Sequence, residues 1–475
     1  MSVTEETVKE LIRAGISTSN GLKAFDLQEF AKQVVPVVTP LINSIPRVKG
    51  KGDTATNWKT ITKLNNGGLS AGVGEGQRNA FNDTVSVDKS AFYKTIGHDD
   101  FVTEEADFAG QGFENLPALV KRNLLLSLKI SEERLVYGGL GTYGLGTSPT
   151  PTVTGATSGG SLPATTAYEV YIVALTHFGW MNSSIANGVK LSSTRSNAGG
   201  TSAIQVGGYA QKSAAGSFTT GAGVGVNKMT WSVTQKLGAA AYAVFVGTNS
   251  STARLYAIST VPGGDILSIP TTTQLLSALA ATDESRDTLV FDGLASQIAA
   301  SGFGGYQKTY AGVSLSSDGG AGISQYNDAF QWFWDNWKLS PDRIYVSGAK
   351  AVALDKIIVA NGGAPIMRVN TTPGGAVQAG RGGRITSILN KVTNTECEIV
   401  VHPDAPDTWD MFYSSTVPFP TSNIGSPVEI HTQRDYYGRD WPMINRQYEY
   451  GVYARETPAI YADGAFGLIQ GLTAT

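Results

Sequence analysis

One cysteine, Cys397, stands among 475 residues, so no intrachain disulfide is possible and a disulfide-stapled secreted scaffold is excluded. A small buried apolar residue is the expectation for that thiol. Charge is scarce as well: 16% of the residues are Asp, Glu, Lys or Arg, against roughly 25% in an ordinary soluble domain. The formal net charge of -3 comes from nearly balanced signs, so no global basic field concentrates the chain on nucleic acid. No apolar run approaches the roughly 18 residues of a membrane span, and MSVTEETVKELIRAG lacks the basic region and apolar stretch of a signal peptide. The expectation is a chain that stays in the cytosol where it is made, with no membrane contact.

Catalytic signatures are missing too. His98, His177, His402 and His431 lie far apart, none with a second His or Cys at ligand spacing, so no metal is expected. No G-x-S-x-G occurs. Residues 139–144, GLGTYG, fit the spacing GxGxxG, but they follow a helical pattern and open a Pro-rich linker, whereas a dinucleotide fingerprint follows a strand and opens a helix. A helix stop is the reading. Asp99, Asp100, Glu104, Glu105 and Asp107 form the densest acidic cluster; an acidic patch pairing with a neighbour's lysine or arginine is favoured over a carboxylate pair or divalent-ion site. No cofactor and no enzymatic activity are expected.

What is abundant is apolar residues, 41%, and glycine, 56 residues. The chain is long enough for two or three domains with buried cores, and a surface so poor in charge suggests coverage by partners. Ser2 and Glu5 form a capping box before Val8, Leu11 and Ile12 at helical spacing. Pro36, Pro40 and Pro46 then impose an extended arm of the kind that runs along a neighbour. Thr56 to Leu64 and Thr84 to Ile96 are β-rich runs flanking a Gly-rich tip, which predicts a long hairpin. Alone, such a hairpin is marginal in water.

GFENLPALVKRNLLLSLKISEERLVYGG predicts the longest helix, with Asn115 as cap, Pro117 in the first turn and Gly138 and Gly139 as stop. Leu116, Leu119, Val120, Leu124, Leu128 and Leu135 form its apolar stripe, opposite Lys121, Arg122, Lys129, Glu132 and Glu133. From about 148 to 282 charges almost vanish and short alternating strands recur without helices, among them AYEVYIVALT, KMTWSV, AYAVFVGT and LYAIST. An all-β sandwich of immunoglobulin or fibronectin type is expected there. Mixed α/β segments follow: a helix carrying Phe330, Phe333, Trp334 and Trp337 as core, the strand RIYVSG, the helix AKAVALDKIIVANGG, strands near Ile399 and Met411, and a long closing strand with Tyr448, Tyr450 and Val452 on one face.

The order of these parts resembles the tailed-bacteriophage major capsid protein family, whose fold also forms the herpesvirus capsid floor. The pieces that carry the resemblance are SEERLVYGG on the long helix, FDGLASQI, QYNDAFQWFWDNWKLSPDRIYVSGAKAVALDKII and RQYEYGVYARETPAI. The implied fold is α+β: an N-terminal arm (1–49), an extension-loop hairpin (50–100), a peripheral domain with a long spine helix (101–147, 283–344 and the final strand, 441–475) and an axial domain (345–440). The block 148–282 is an immunoglobulin-like insertion. The implied function is a shell subunit forming pentamers and hexamers of an icosahedral head around packaged double-stranded DNA, located in the virion and assembled in the host bacterial cytoplasm. The implied partners are further copies of the chain, a separate scaffolding protein, a portal and a decoration protein.

On that reading Trp58, Lys59, Lys63, Asn66, Arg78, Phe81, Lys89, Lys94, Glu104 and Glu105 are the candidates for contact between subunits. Lys121, Arg122 and Lys129 are candidates for non-specific contact with packaged DNA. Some members crosslink a hairpin lysine to a neighbour's asparagine, but nothing distinguishes Lys59, Lys63, Lys89 or Lys94 for that chemistry. The rival class is a surface or tail-associated adhesin that binds glycans through the β-sandwich, with Trp180, Trp231 and the tyrosines of the insertion as its aromatic candidates.

Overall fold

The fold is built on two sheets that share one helix-filled core. A computed structural model describes residues 35–474 except 53, 65–71, 80, 82–83, 111–113, 197–201, 321, 361–367, 372–376, 381–385, 418, 420–421 and 444. The expected helix near Val8, the Gly-rich start of the hairpin tip, Asn66 and the Asn361–Gly363 helix stop lie outside the described residues.

The first sheet has four strands in the order Arg47–Lys49, Val428–Asp440, Gln447–Ile460, Lys94–Thr103. Against it lies the spine helix, Leu116–Gly138, about 35 Å long at 1.5 Å per residue. Its ends follow the sequence logic. The Asn115 side chain accepts from Ala118 N, Pro117 occupies the first turn, and Gly139 N donates to Leu135 O. The buried stripe is Leu124, Leu128, Glu132 and Val136, joined by Glu133 and Tyr137. Glu132 and Glu133 are therefore not on the solvent face, as their charge implied, but fully buried. Leu124, Leu128, Glu132 and Val136 repeat at i+4, and that spacing wins over charge.

The second sheet has six strands in the order Tyr306–Ser314, Phe466–Thr473, Trp409–Tyr413, Arg343–Val346, Thr395–Val401, Ser387–Asn390. Period-2 alternation sends its residues to two cores. Tyr345, Met411, Tyr413 and Leu468 face the spine helix and the short helix Leu294–Ala299. Ile344, Phe412, Ile469 and Cys397 face the helices Ser324–Trp337 and Gly348–Ala360. Phe330 and Phe333 are core as expected, but Trp334 is 41% exposed. It stands outside because the stripe Tyr326, Ala329, Phe330, Phe333 already fills the groove on the sheet.

Strand membership departs from the expected limits. The second run of the hairpin ends at Phe92, and Lys94–Thr103 pairs instead with Gln447–Ile460, Val102 opposite Tyr448. The closing segment is two strands: a turn at Asp463–Ala465 separates Gln447–Ile460 in the first sheet from Phe466–Thr473 in the second. Tyr306–Ser314 also joins the second sheet, while Val428–Asp440 joins the first. Such exchanges are set by long-range pairing, which local pattern does not encode.

Residues 152–266 contain a three-stranded sheet (Gly263–Ile266, Lys228–Ser232, Thr152–Ala156) facing a four-stranded one (Arg254–Ser259, Ala241–Gly247, Ala167–Leu175, Gly216–Thr219). Met229, Trp231 and Ile266 pack on Tyr168, Val170, Ile172, Tyr242 and Val244. The other side of the four-stranded sheet is also covered: Val173, Leu175, Ala243, Phe245 and Leu255 pack on Tyr209, Leu276 and Leu279. The two inner strands, Ala167–Leu175 and Ala241–Gly247, therefore do not alternate apolar with polar along most of their length, because neither face meets water. A helical turn, His177–Met181, interrupts the expected all-β run. It is capped by Thr176, whose hydroxyl accepts from Gly179 N.

Candidate assembly interface

The segment leading into the hairpin was expected to lie on a neighbour, but its described part, 35–49, is fastened to its own chain. Glu133 accepts from Leu41 N at 2.7 Å and from Ile42 N at 2.8 Å. Ser44 Oγ donates to Leu41 O at 2.7 Å, which leaves Tyr345 OH to donate to Ser44 across 2.9 Å. Arg47 then enters a ring of acids. Its guanidinium meets Glu132, Glu456 at 2.6 Å and Asp435 at 2.8 Å, and lies 4.7 Å from the centre of the Tyr436 ring.

Glu132 and Glu456 are both fully buried, so two carboxylates share one guanidinium. Burial first, and then Glu132, pushes the Glu456 carboxyl up to about 8 against the pull of Arg47. The Arg47 guanidinium is itself held above its ordinary value by Glu456, Glu132, Tyr436 and Asp435, which outweigh its desolvation. Two periodic signals existed for this centre: Glu132 sits on the apolar i+4 stripe, and Glu456 falls on the alternating face of Tyr448, Tyr450 and Val452. Arg47 carried none.

Beyond this anchor the hairpin pairs Ala55–Lys63 with Val85–Phe92, Trp58 opposite Lys89. Alternation holds as expected on the first strand: Trp58, Thr60 and Thr62 are half-buried while Lys59, Ile61 and Lys63 are exposed. Its inner face rests on the turn after Ile460. The Trp58 ring meets the Tyr461 ring edge-on at 5.5 Å, Thr60 Oγ1 donates to Tyr461 O at 3.3 Å, and Lys89 pairs with Asp463. Its outer face is exposed and mixed, with Asn57, Lys59, Ile61 and Lys63 on one strand and Ser86, Asp88, Ser90 and Phe92 on the other. Ile61 is 59% exposed, and Leu64 past the strand end and Val87 opposite Thr60 are exposed as well. Arg78 and Phe81 are exposed at the tip.

The sequence-predicted contact residues thus divide into two sets. Lys59, Lys63, Arg78 and Phe81 face outward, with Lys59 3.6 Å from Asp88. Trp58, Lys89 and Lys94 face their own chain, Lys94 Nζ donating to Thr288 O at 2.6 Å. Glu104 and Glu105 meet Arg446 of the same chain at 3.0 and 2.9 Å, where a neighbour's cation was expected. No group of His, Cys, Asp and Glu suited to a metal occurs among the described residues.

On the spine helix, Lys121 pairs with Asp440 at 2.8 Å and lies over the Tyr450 ring at 4.6 Å, and Lys129 lies 5.8 Å from the Tyr436 ring. Arg122 is exposed. The aromatic candidates of the sandwich are packing residues instead: Trp231 is buried, and Trp180 packs partly buried against two cores. The GLGTYG stretch turns the chain after the helix, Asp292 accepting from Gly141 N and Thr142 N at 2.8 Å each.

The sandwich is joined to the spine helix and the six-stranded sheet by buried contacts that the sequence did not announce. His177 Nε2 lies 2.6 Å from Asp404 O, and its ring is tilted on Tyr137 at 5.2 Å. Tyr137 stacks on His402 at 4.5 Å, and His402 Nε2 lies 3.0 Å from Glu133. Trp409 Nε1 donates to Ala239 O, and Gly238 N to Gln470 Oε1. Gly138 makes room for this: a Cβ there would fall 2.7 Å from the His177 side chain. Burial holds the His177 imidazole down at about 4, with His402 and Arg134 adding to the effect against Asp404.

No family model and no curated protein matches the chain. Among solved structures it is similar to the capsid of Myoviridae phage XM1, at 9% identity and TM-score 0.40, over 97% of this chain and 100% of that one. It is similar to the capsid of a native GTA particle, at 8% identity and TM-score 0.44, over 96% and 98%. Mycobacterium phage Adephagia gives 10% identity and TM-score 0.39 over 100% and 99%. Scores in this range carry no argument on their own, so the functional reading rests on the chain's geometry.

Proposed function

We propose that this chain is the major shell-forming subunit of a tailed-phage capsid, acting by self-assembly and not by catalysis. The observation that carries the reading is the hairpin. Among the described residues its two strands pair only with each other, its inner face has a seat on its own chain, and Ile61, Leu64, Val87 and Phe92 stay in water along it. A two-stranded ribbon that keeps several large apolar side chains in water is completed by burial on another surface, and the surface that recurs in a shell is the next copy. The ring of acids around Arg47 supports this by fixing the base from which the hairpin leaves the body.

On this reading the first sheet and spine helix form the peripheral domain, and the six-stranded sheet with its two covering helices forms the axial domain. Copies close into pentamers and hexamers around double-stranded DNA, with a separate scaffolding protein, a portal and a decoration protein as partners. The immunoglobulin-like insertion is a rigid outer module, because His177, Gly238 and Ala239 are fastened into the body. Many modest contacts in a closed ring make loss of one copy require breaking several at once.

The test is deletion of residues 65–79. A soluble subunit that no longer closes into shells is the expected result. Normal particles from the deletion would refute the role assigned to the hairpin.

A further inference from the structure

Between the six-stranded sheet and its covering helices lies a polar trio that no assembly role uses. Lys350, in the first turn of Gly348–Ala360, and Asp410, on the central strand Trp409–Tyr413, are both 0% exposed, and Lys350 Nζ is 3.6 Å from Asp410 Oδ2. The ammonium donates to Leu472 O at 2.7 Å. The Tyr326 hydroxyl and Lys350 Nζ both lie beside the Asp410 carboxyl, but neither contact reaches good hydrogen-bond geometry, which leaves both carboxylate oxygens and the hydroxyl poorly satisfied. Phe330, Leu354 and Phe412 belong to the core on this side of the sheet, and Asp407 also acts on the Lys350 ammonium. An ion pair kept here pays the desolvation of two charges with one poorly satisfied contact.

We propose that Lys350 and Asp410 condense into an intrachain amide, a covalent bolt between the covering helix and the central strand. A proton passes from Lys350 Nζ to the Asp410 carboxylate, leaving amine and carboxylic acid. The Nζ lone pair attacks Asp410 Cγ, the C–OH bond breaks, and the hydroxyl departs as water with a second proton from nitrogen. Nothing is oxidised or reduced, and no co-reactant is needed. The product satisfies the site better than the ions do. It removes two buried charges, its N–H keeps the Leu472 carbonyl as acceptor, and its C=O keeps an acceptor beside the Tyr326 hydroxyl. Burial disfavours both charged forms, holding the Lys350 amine below and the Asp410 carboxyl above their ordinary values. The fold holds the reacting groups together, where effective molarities reach roughly 10⁵ M or more.

The test is intact-mass measurement of the full chain after denaturation, followed by peptide mapping. The expected result is a mass lower than that of the sequence by one water, a branched peptide joining residues 350 and 410, and no label on Lys350 from an amine-specific reagent. Lys350→Arg should restore the full mass, and because mass is read on denatured protein, this control holds whether or not the variant folds. Identification of the branched peptide separates the amide from dehydration elsewhere. A wild-type chain of full mass with Lys350 labelled after denaturation overturns the proposal.

Discussion

Arg47 donates to the buried carboxylate of Glu456 at 2.6 Å, and that bond ties the base of the hairpin to the long strand under the spine helix. The same guanidinium reaches Glu132 and Asp435, so one side chain from the N-terminal segment neutralises acids from three places in the fold. Arg47→Ala takes the guanidinium away from the buried acids Glu132 and Glu456. A loss of about 3–5 kcal/mol is expected, read as a lower urea midpoint of the isolated subunit. An unchanged midpoint would show that the ring of acids does not hold the segment.

Glu133→Gln tests the neighbouring contact separately. The variant keeps an acceptor but gives up the carboxylate that serves Leu41 N and Ile42 N together. The expected cost is about 1.5–3 kcal/mol, the range for hydrogen bonds to a charged group. Hydrogen exchange at the Leu41 and Ile42 amides should quicken more than exchange in the sandwich strands. Equal effects in both places would point to general destabilisation instead.

The fold's pH dependence has two opposed limbs. His177 is held at about 4 against an ordinary 6.5, so its contribution is full above 6.5 and is lost as pH falls through 4. It is worth on the order of 3 kcal/mol at most. Glu456 is held at about 8 against an ordinary 4.5, so its contribution is full below 4.5 and is lost as pH rises through 8. His177→Gln should flatten the acid limb and Glu456→Gln the alkaline limb, each measured as urea midpoint against pH and compared with wild type. Parallel curves for either variant and wild type would remove that group from the account.

How much of this was legible beforehand depended on the range of the signal. The spine helix was, because Asn115, Pro117 and the Gly138–Gly139 stop are local instructions. So was the first hairpin strand, whose faces alternate as its sequence does. Glu132 and Glu133 were misplaced because charge was taken to outrank the stripe on which Glu132 falls; their partners Arg47 and Leu41 lie about 90 residues away. The switch of partners at Tyr93 and the break after Ile460 were hidden for the same reason. Lys350 and Asp410 are 60 positions apart, and no spacing rule joins them.

Trp231→Ala distinguishes core from glycan platform. Trp231 is 2% exposed between the two sheets of the sandwich, so truncation should cost about 3–5 kcal/mol, seen as early unfolding of the sandwich. Full stability combined with loss of sugar binding would restore the adhesin reading.

The hairpin is where stability and assembly separate. Ile61 is 59% exposed, and Ile61→Lys should change the subunit's own stability by no more than about 0.5 kcal/mol while placing a charge on the surface meant for the next copy. Denaturant unfolding and light scattering on the same preparation check both halves. Comparable loss in both would mean the side chain serves its own fold.

Electron microscopy of the purified, concentrated chain tests the central claim most directly. Closed hollow shells of uniform size, absent from the Ile61→Lys preparation, are the predicted result. Discrete small oligomers under every condition, identical for wild type and variant, would contradict it.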